Sequence, residues 1–394
     1  MEIVDLTDDN DVINNVIHDS NKFVNLVDDD SDVDVDVDRS NSSSSSSSNS
    51  SRKRSLIHDV DVGVKESFLV VTINIDDLTK EKVKKVIENI SRSMVDEGHE
   101  GSNPDIIFIQ ETKVIDEENV KIGNGSKCIE LQKKLKEISK EMDDLGYILH
   151  HHPILSKNTI VKNNELIALD FKHGNCCIIR KDSKLKEGCL EIFDWDLEGR
   201  VVLWKCQYAI FIAVHAATPN MKPEKSRKYK PSNVEIPKRY EHREEFDKQI
   251  EKYISDNRDS STVILLGDFN CSLLAIDSSA ELWEGEHYEN CRLRHNTLKK
   301  ECNLVDIWRI RNPKEVKRYT SWINHLNPPS QARIDMILVP QSQQHDVQYI
   351  EIMDNSNFCY EVGGLKKVKH ELNHVPVVMK ISLSSKSNKR VARG

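Results

Sequence analysis

The stretch Val263-Ile264-Leu265-Leu266-Gly267-Asp268-Phe269-Asn270 decides the fold of this chain. Its first four residues are apolar and two of them are β-branched, which is typical of a strand buried on both faces. Gly267 ends the apolar run, and Asp268 and Asn270 follow two positions apart. Because residues i and i+2 of an extended chain point to the same side, both polar side chains are predicted to face one side of the strand's end.

The same pairing of a buried strand with a polar end recurs along the chain. The β-rich run that starts at Phe68 ends in Asn74 and Asp76, and the apolar run 106–110 ends in Glu111. A carboxylate at the end of a buried strand is costly unless it is paired, so Glu111 favours a cation site. Three further polar groups lie beside apolar strands, and these are Asp335, Asn373 and His374.

Together these strand ends supply carboxylate oxygens, amides and a histidine, but no thiolates and no histidine cluster. Hard divalent cations prefer oxygen ligands, so the set fits Mg²⁺ or Mn²⁺ and does not fit structural zinc. Phosphodiester hydrolysis needs a cation for the developing charge, a group that orients or deprotonates water, and donors for the phosphate. The inventory therefore predicts a metal-dependent phosphodiester hydrolase.

Charge and periodicity divide the chain. Residues 1–64 hold 15 acidic and 5 basic residues, a net charge of −10, whereas the rest holds 50 acidic and 51 basic residues, a net charge of +1. The acidity therefore does not argue against a nucleic-acid substrate. We predict a disordered acidic and serine-rich tail over 1–64, a folded domain over 65–383 and a basic tail over 384–394. Within the domain, periodicity predicts helices over 79–95 and 127–145 and a strand over 190–195.

A short apolar cluster near the start of the tail is followed by acidic residues. Such a cluster cannot fold alone, but it can add as a strand to the edge of a partner's sheet, while the acids meet a basic rim. It resembles a SUMO-interacting motif; the alternative is a chance pattern in sequence rich in valine and aspartate. The apolar residues of the cluster are Ile3, Val4 and Leu6.

The remaining features concern the cellular compartment. The nine cysteines have no C-x-x-C spacing, which predicts neither a disulfide framework nor a zinc site and favours a reducing environment. No stretch approaches the roughly 20 apolar residues of a membrane span. The basic run Arg52-Lys53-Arg54 favours nuclear import. We therefore expect an intracellular, nuclear protein without a membrane partner.

An ordered set of motifs extends from residue 67 to about residue 383. It resembles the endonuclease/exonuclease/phosphatase superfamily, which includes exonuclease III, AP endonucleases, DNase I and LINE-type endonucleases. The motifs that carry the resemblance are Asn74-Ile75-Asp76, residues 104–112, Glu198-Gly199-Arg200, Thr218-Pro219-Asn220, residues 267–270, residues 304–309, residues 319–322, Arg333-Ile334-Asp335 and Asn373-His374.

The resemblance implies a four-layer α/β sandwich, in which two mostly antiparallel sheets pack together and are flanked by helices. It also implies the roles of individual residues. The implied metal ligands are Glu111, Asp76 and Asn74. The implied catalytic residues are Asp268, which acts on the attacking water, Asn270, His374 oriented by Asp335, and His215. The implied substrate contacts are Asn74, Asn220, Arg243, Trp322 and Arg333.

Two positions depart from the pattern of exonuclease III-like members. Ala217 stands where those members have a tyrosine, and His215, two residues earlier, matches the histidine that the DNase I branch uses in this strand. Asn373 replaces an aspartate, so it brings no charge to the neighbouring histidine.

The expected function is a Mg²⁺- or Mn²⁺-dependent endonuclease or exonuclease of the exonuclease III/AP endonuclease type, acting on DNA or RNA and suited to DNA repair. Two alternatives stay open. One is tyrosyl-DNA phosphodiesterase-like or phosphatase activity on the same fold, and the other is a catalytically degraded copy that acts as a binding protein.

Overall fold

The computed structural model describes thirteen stretches of the chain, and all of them lie in the second of its two compact units, Asp61–Gly394. The predicted tail 1–64, its SUMO-like motif and Asn220 lie outside the described residues. The described residues are 65–96, 98, 103–113, 126–152, 159–162, 165–168, 174–196, 199–216, 239–279, 286–323, 330–362, 365–368 and 372–385.

Strands make up most of the regular structure. Their bounds are β1 Lys65–Asn74, β2 Ile106–Gln110, β3 Tyr147–His151, β4 Thr159–Lys162, β5 Glu165–Ala168, β6 Cys176–Arg180, β7 Cys189–Glu191, β8 Val201–Lys205, β9 Ile210–His215, β10 Val263–Asp268, β11 Leu304–Asp306, β12 Ser321–Ile323, β13 Ser330–Ala332, β14 Asp335–Pro340, β15 Val347–Ile352, β16 Cys359–Val362, β17 Leu365–Val368 and β18 Val377–Ser384.

The α-helices lie between these strands, with bounds α1 Lys80–Asp96, α2 Ser126–Asp144, α3 Arg239–Asn257, α4 Glu286–Glu301 and α5 Ile307–Arg311. The spans of α1 and α2 agree with the periodicity, and the Thr79 hydroxyl caps α1 by accepting a hydrogen bond from the Lys82 backbone N–H at 3.2 Å. None of the helices in the described stretches has the length and apolar character needed to cross a bilayer.

Twelve of the strands form two six-stranded sheets. The first sheet has the order β15-β18-β1-β2-β6-β3, and the second has the order β11-β14-β10-β9-β8-β7. Each sheet contains one parallel pair, β1 with β2 and β9 with β10, and its other pairs are antiparallel. The sheets are therefore mostly antiparallel, as expected.

The two sheets pack face to face, and helices cover their outer faces. Alternate residues of β10 show this division, because Ile264 and Leu266 belong to the core shared with the first sheet. Val263 and Leu265 belong instead to the core shared with α3 and α4. The apolar faces of α1 and α2 pack with the first sheet. This confirms the four-layer α/β sandwich.

The register of the sheets brings the predicted polar groups to one edge. The parallel strands β1, β2, β9 and β10 all end there, and the antiparallel strand β14 begins there. Asp268 pairs with His215 on one side and with Asp335 on the other. On the first sheet, Asn74 pairs with Gln110, so Glu111 follows at the same edge. Fold topology alone therefore gathers the polar strand ends.

Gly267 is the residue that lets β9 and β10 approach at this edge. Its φ is +127°, and a Cβ added there would lie 2.1 Å from the Val214 carbonyl oxygen. A side chain would meet both a disfavoured backbone conformation and an immovable backbone atom.

We expect Gly267→Ala to lower the free energy of unfolding by about 3 kcal/mol or more, because the β9–β10 pair must separate. Urea denaturation measures this change. Gly146→Ala is the matched control, since Gly146 also has a positive φ of +82° but nothing lies within 4 Å of its added Cβ. That variant should lose only about 1 to 2 kcal/mol. Equal losses would contradict the steric argument.

Candidate active site

A hydrogen bond between the two sheets lies at the centre of the polar edge. Asn74, at the end of β1, donates its Nδ2–H to Asp268 Oδ2 of β10 at 3.0 Å, and both residues are buried. The Asn74 Oδ1 accepts the backbone N–H of Asp76 at 3.0 Å, which fixes the turn after β1. One amide thus joins the ends of the two central strands and orients a carboxylate.

The loop after β10 is tightly held. The other Asp268 oxygen, Oδ1, accepts the backbone N–H of Asn270 at 2.7 Å. Asn270 has a φ of +49°, a left-handed conformation that asparagine tolerates better than most residues. Its side-chain Nδ2 donates to the Ala216 carbonyl at 2.6 Å. Asn270 is therefore at the site, as predicted, and its amide N–H holds the end of β9.

His374 and Asp335 form a buried pair beside Asp268. His374 Nδ1 lies 2.7 Å from Asp335 Oδ2, and its Nε2 lies 3.3 Å from the Ser321 hydroxyl and 4.0 Å from Asp268 Oδ2. Burial acts to lower the pKa of His374, but the charge and hydrogen bond of Asp335 outweigh it and raise that pKa to about 9. The imidazole is therefore a cation at neutral pH, with one nitrogen directed toward Asp268.

Glu111 and His215 meet across the two sheets. His215 Nε2 lies 3.0 Å from Glu111 Oε1, and the same nitrogen lies 4.0 Å from Asp268 Oδ2. Burial acts to raise the pKa of Glu111, but the hydrogen bond with His215 and the positive charges around it hold that pKa far below its usual value. Glu111 is therefore a carboxylate throughout the physiological pH range.

Asp76 lies at the more exposed side of the site. Its Oδ1 forms an ion pair with Lys113 Nζ, and its Oδ2 accepts a 3.4 Å hydrogen bond from the Asn373 amide. Lys113 Nζ also lies 3.9 Å from Glu111 Oε2. The side chains of Asp76 and Glu111 are 38% and 23% exposed, so both can be reached from solvent.

Two groups of side chains could hold a metal ion. Asp268, Asp335 and His374 offer ligand atoms within 4.8 Å of one another. However, His374 is bound to Asp335 and positively charged, and a cationic imidazole offers no lone pair to a metal. Asp76 and Glu111 offer partly exposed carboxylates that already attract a positive charge, the ammonium of Lys113. The donor chemistry therefore fits a hard divalent cation at Asp76 and Glu111 better.

Three predicted substrate contacts are in the interior. Arg333 is 1% exposed and binds Asp277 through Nε at 2.8 Å and Asp306 through Nη2 at 2.7 Å. Arg243 is 2% exposed and donates to the Phe269 carbonyl at 2.9 Å, and Trp322 is 1% exposed. The prediction that these three side chains contact substrate at the surface is therefore corrected, because all three are buried. Both guanidinium groups bind carboxylate or carbonyl partners inside the protein, as a buried guanidinium requires.

Sequence reasoning missed several residues that support the site. The Thr320 hydroxyl accepts the backbone N–H groups of residues 334 and 335, each at 3.0 Å, and so fixes the start of β14. Ser321 contacts His374, and Lys113 contacts Asp76. Lys113 had a signal in the sequence, since it lies two residues after Glu111 and so follows the same spacing as Asp268 and Asn270. Thr320 and Ser321 lie in the motif 319–322 that carries the resemblance, but only the tertiary fold shows that they contact the start of β14 and His374.

Comparison with family models matches residues 71–348 to the Endonuclease/Exonuclease/phosphatase family. The chain belongs to this family. The match covers most of the described strands, from within β1 to the start of β15, and it confirms the resemblance inferred from the motifs. No curated protein matches the sequence.

Solved structures of several DNA-processing enzymes share the fold. The 3′ phosphatase NExo from Neisseria, bound to a product DNA hairpin, is similar with a TM-score of 0.51 and 14% identity, over 80% of this chain and 99% of that one. An AP endonuclease from Archaeoglobus fulgidus is similar with a TM-score of 0.51 and 13% identity, over 79% of this chain and 98% of that one. The AP endonuclease LMAP from Leishmania major is similar with a TM-score of 0.50 and 17% identity, over 80% of this chain and 87% of that one.

The buried pair of His374 and Asp335 should make the stability of the fold depend on pH. In the metal-free protein, NMR titration should show the His374 ring ionising near pH 9. Because this folded-state pKa lies above the ordinary value of 6.5, the pair stabilises the fold fully below pH 6.5 and loses this effect as pH rises through 9. Asp335→Asn should therefore lower the free energy of unfolding more at pH 6 than at pH 10.

The control for this titration is the same variant observed by NMR. Without the Asp335 charge and hydrogen bond, only the charges of Asp268 and Glu111 oppose the effect of burial, so the pKa of His374 in Asp335→Asn should fall well below that of the wild type. A wild-type His374 that ionises below pH 7 would contradict the cationic assignment.

Proposed function

We propose that this chain is a divalent-metal-dependent phosphodiesterase that cleaves DNA, a nuclease of the exonuclease III/AP endonuclease type. The observation that carries the proposal is the position of Asp268. Its Oδ2 lies 3.0 Å from the Asn74 amide and 4.0 Å from the cationic ring of His374. His215 Nε2 lies 4.0 Å from the same oxygen and 3.0 Å from Glu111 Oε1. A base, a fixed donor, a cation and a metal-binding carboxylate thus converge at one edge.

Asp268 is the group that acts on the attacking water. Its carboxylate is 1% exposed, and it accepts hydrogen bonds from the Asn74 amide and the Asn270 backbone N–H. A buried carboxylate held by two donors has one orientation, so it can accept a proton from a water that lies in line with the phosphorus. Its fixed orientation also avoids reorganisation during the reaction.

His374 is the group that offsets charge on the phosphate. As a cation it stabilises the negative charge that develops on the non-bridging oxygens when water attacks. Asp335 keeps the ring protonated and oriented, and Ser321 lies at the other nitrogen. Asp268, Asp335 and His374 thereby divide two roles, with Asp268 accepting a proton and the His374–Asp335 pair supplying positive charge.

The residues that would hold Mg²⁺ or Mn²⁺ are Glu111 and Asp76, together with Asn74, whose side-chain Oδ1 accepts the backbone N–H of Asp76. When bound, such an ion supplies Lewis-acid stabilisation of the phosphate and the leaving oxygen. His215 holds Glu111 in place through its 3.0 Å contact. This role fits a neutral or a cationic imidazole, because either form has a nitrogen that can donate to the carboxylate.

The central test is Glu111→Gln. We expect it to reduce Mg²⁺-dependent cleavage of a labelled DNA duplex by about 100-fold or more, since loss of groups that only support a metal ligand already costs 10- to 100-fold. EDTA should abolish wild-type cleavage. Gel analysis of the products gives the rate and the cleavage position. Glu187→Gln is the matched control, because Glu187 is exposed and lies away from the polar edge.

The substrate panel decides between related activities. Abasic, nicked, blunt, 3′-phosphate, phosphotyrosyl and single-stranded RNA substrates separate the nuclease from a 3′ phosphatase or a tyrosyl-DNA phosphodiesterase. Full turnover in EDTA would refute the metal-dependent mechanism. A folded protein that binds DNA but leaves every substrate intact would favour the alternative of a degraded copy that acts as a binding protein.

We also propose that the tail binds SUMO and that the protein acts in the nucleus, in DNA repair. The support is in the sequence alone: Ile3, Val4 and Leu6 precede acidic residues, and Arg52-Lys53-Arg54 is basic. Addition of the apolar segment to a sheet edge would give affinity, and the acids would favour a basic rim.

An NMR titration of the full chain with SUMO tests this partner. We expect shifts in the resonances of residues 3–6, and we expect Ile3→Ala/Leu6→Ala to remove them because the apolar contacts are lost. The matched control is Val33→Ala/Val35→Ala, which lies in the alternating acidic stretch. Resonances of residues 3–6 that stay unmoved at saturating SUMO would reject the interaction.

A further inference from the structure

Lys113 places a positive charge between the two carboxylates that the proposed function assigns to the metal. Its Nζ forms an ion pair with Asp76 Oδ1 and lies 3.9 Å from Glu111 Oε2. Its side chain is 30% exposed, so the ammonium lies at the boundary of the site and the solvent. The side chain therefore occupies the place where two carboxylates attract a cation.

The loop that carries Lys113 is strained, and the neighbouring strand end holds it. Glu111 and Lys113 have φ values of +56° and +52°, which non-glycine residues adopt rarely and at a cost of about 1 kcal/mol or more each. The loop is fixed by backbone hydrogen bonds from Asp77 to the Glu111 carbonyl at 2.9 Å and from Leu78 to the Thr112 carbonyl at 3.0 Å. The backbone thus brings the ammonium to Asp76.

Other lysines already stabilise the turn that carries Asp76. Lys82 Nζ donates to the backbone carbonyls of Ile75 and Asp76 at 3.2 and 3.0 Å. Lys134 Nζ lies 2.5 Å from Asp77 Oδ1. Lys113 differs from these two because it contacts the Asp76 carboxylate rather than the backbone or the neighbouring residue. A role limited to stabilising the turn would duplicate theirs.

We propose that Lys113 is a resident counter-ion of the metal site. In the metal-free protein its ammonium offsets part of the negative charge of Asp76 and Glu111, and a divalent cation must displace it in order to bind. The displaced ammonium then contacts a phosphate of the nucleic acid. This inference rests on the proposed function, since it assumes a metal at these carboxylates and a phosphodiester substrate.

The chemistry of lysine suits this exchange. Its ammonium is a compact charge on a flexible stem of four carbons, so it can leave one carboxylate and reach an anion nearby without a change in the backbone. In the metal-free state the lysine is engaged with Asp76, and after metal binding it is available to the substrate. Metal and DNA would therefore bind with positive coupling, and each would raise the affinity for the other by the same factor.

Metal affinity of the full-length, metal-free protein tests the exchange without any assay of cleavage. In calorimetric titrations with Mn²⁺, we expect Lys113→Met to bind about three- to tenfold more tightly than wild type, because a competing charge next to the ligands is gone. Lys113→Arg keeps the charge and should stay close to wild type. Lys134→Met is the matched control, since it removes a lysine from the Asp77 ion pair only and should leave Mn²⁺ affinity unchanged.

The outcomes separate this inference from the proposed function. Equal Mn²⁺ affinity of Lys113→Met and wild type, with both proteins folded by circular dichroism, would overturn the counter-ion role and leave the nuclease proposal intact. Equal tightening in Lys113→Met and Lys134→Met would also overturn it, because the effect would then be one of general charge. Failure of every variant to bind Mn²⁺ would reject the metal site itself, and both proposals with it.

A second measurement tests where the displaced ammonium goes. In an Asp268→Asn background that prevents cleavage, DNA affinity is measured against salt concentration with and without Mn²⁺. With Mn²⁺, Lys113→Met should reduce the slope of log affinity against log salt by about one, the loss of one phosphate contact. Without Mn²⁺ the slope should not change. An unchanged slope in both conditions would overturn the phosphate contact.

Discussion

The hydrogen bond between Asn74 and Asp268 is the contact on which the rest of the site depends. It joins the ends of β1 and β10, the central strands of the two sheets, at 3.0 Å in a buried environment. A carboxylate that is 1% exposed would be costly without such donors, so the bond lowers the cost of burial and fixes the orientation of Asp268. His215 and Asp335 pair with Asp268 in the register of the second sheet, so the position of β10 also sets theirs.

The site concentrates charge that the fold must compensate. Asp268, Asp335 and His374 are all buried, and the pair of His374 with Asp335 supplies one positive charge between two negative ones. Beneath it, a second cluster places the Arg333 guanidinium between Asp277 and Asp306. Removing one member of either cluster would leave a charge uncompensated, which costs more than the pair itself contributes. The polar edge is therefore rigid for electrostatic reasons, and that rigidity preorganises the site for charged substrates.

The sequence predicted the strand ends well, because buried strands and i, i+2 spacing are local properties. Asn74, Glu111, Asp268 and His374 meet as the resemblance implied, and the four-layer sandwich follows from the family. The prediction that Arg333 and Trp322 contact substrate did not anticipate that both side chains are buried, because burial depends on the tertiary fold. An arginine next to a motif looks the same in sequence whether it meets a phosphate or the carboxylates of Asp277 and Asp306. The predicted strand over 190–195 shortened to β7, Cys189–Glu191, because the Asp196 carboxylate accepts the backbone N–H groups that open β8.

Asn373 shows how a single departure from the family pattern acquires meaning only in the structure. From sequence alone, its effect was expected on either the His374 ring or the metal ligands. In the structure the Asn373 amide donates to Asp76 Oδ2, on the metal side, while Lys113 contacts Oδ1 of the same carboxylate. Both oxygens of Asp76 therefore face a donor, and neither of these neighbours adds negative charge to the metal side of the site. Aspartate at this position would place two carboxylates side by side, an arrangement that is stable only with a cation between them. The exchange of aspartate for asparagine thus lowers the charge that a divalent ion meets, and His374 keeps its proton through Asp335 rather than through its neighbour.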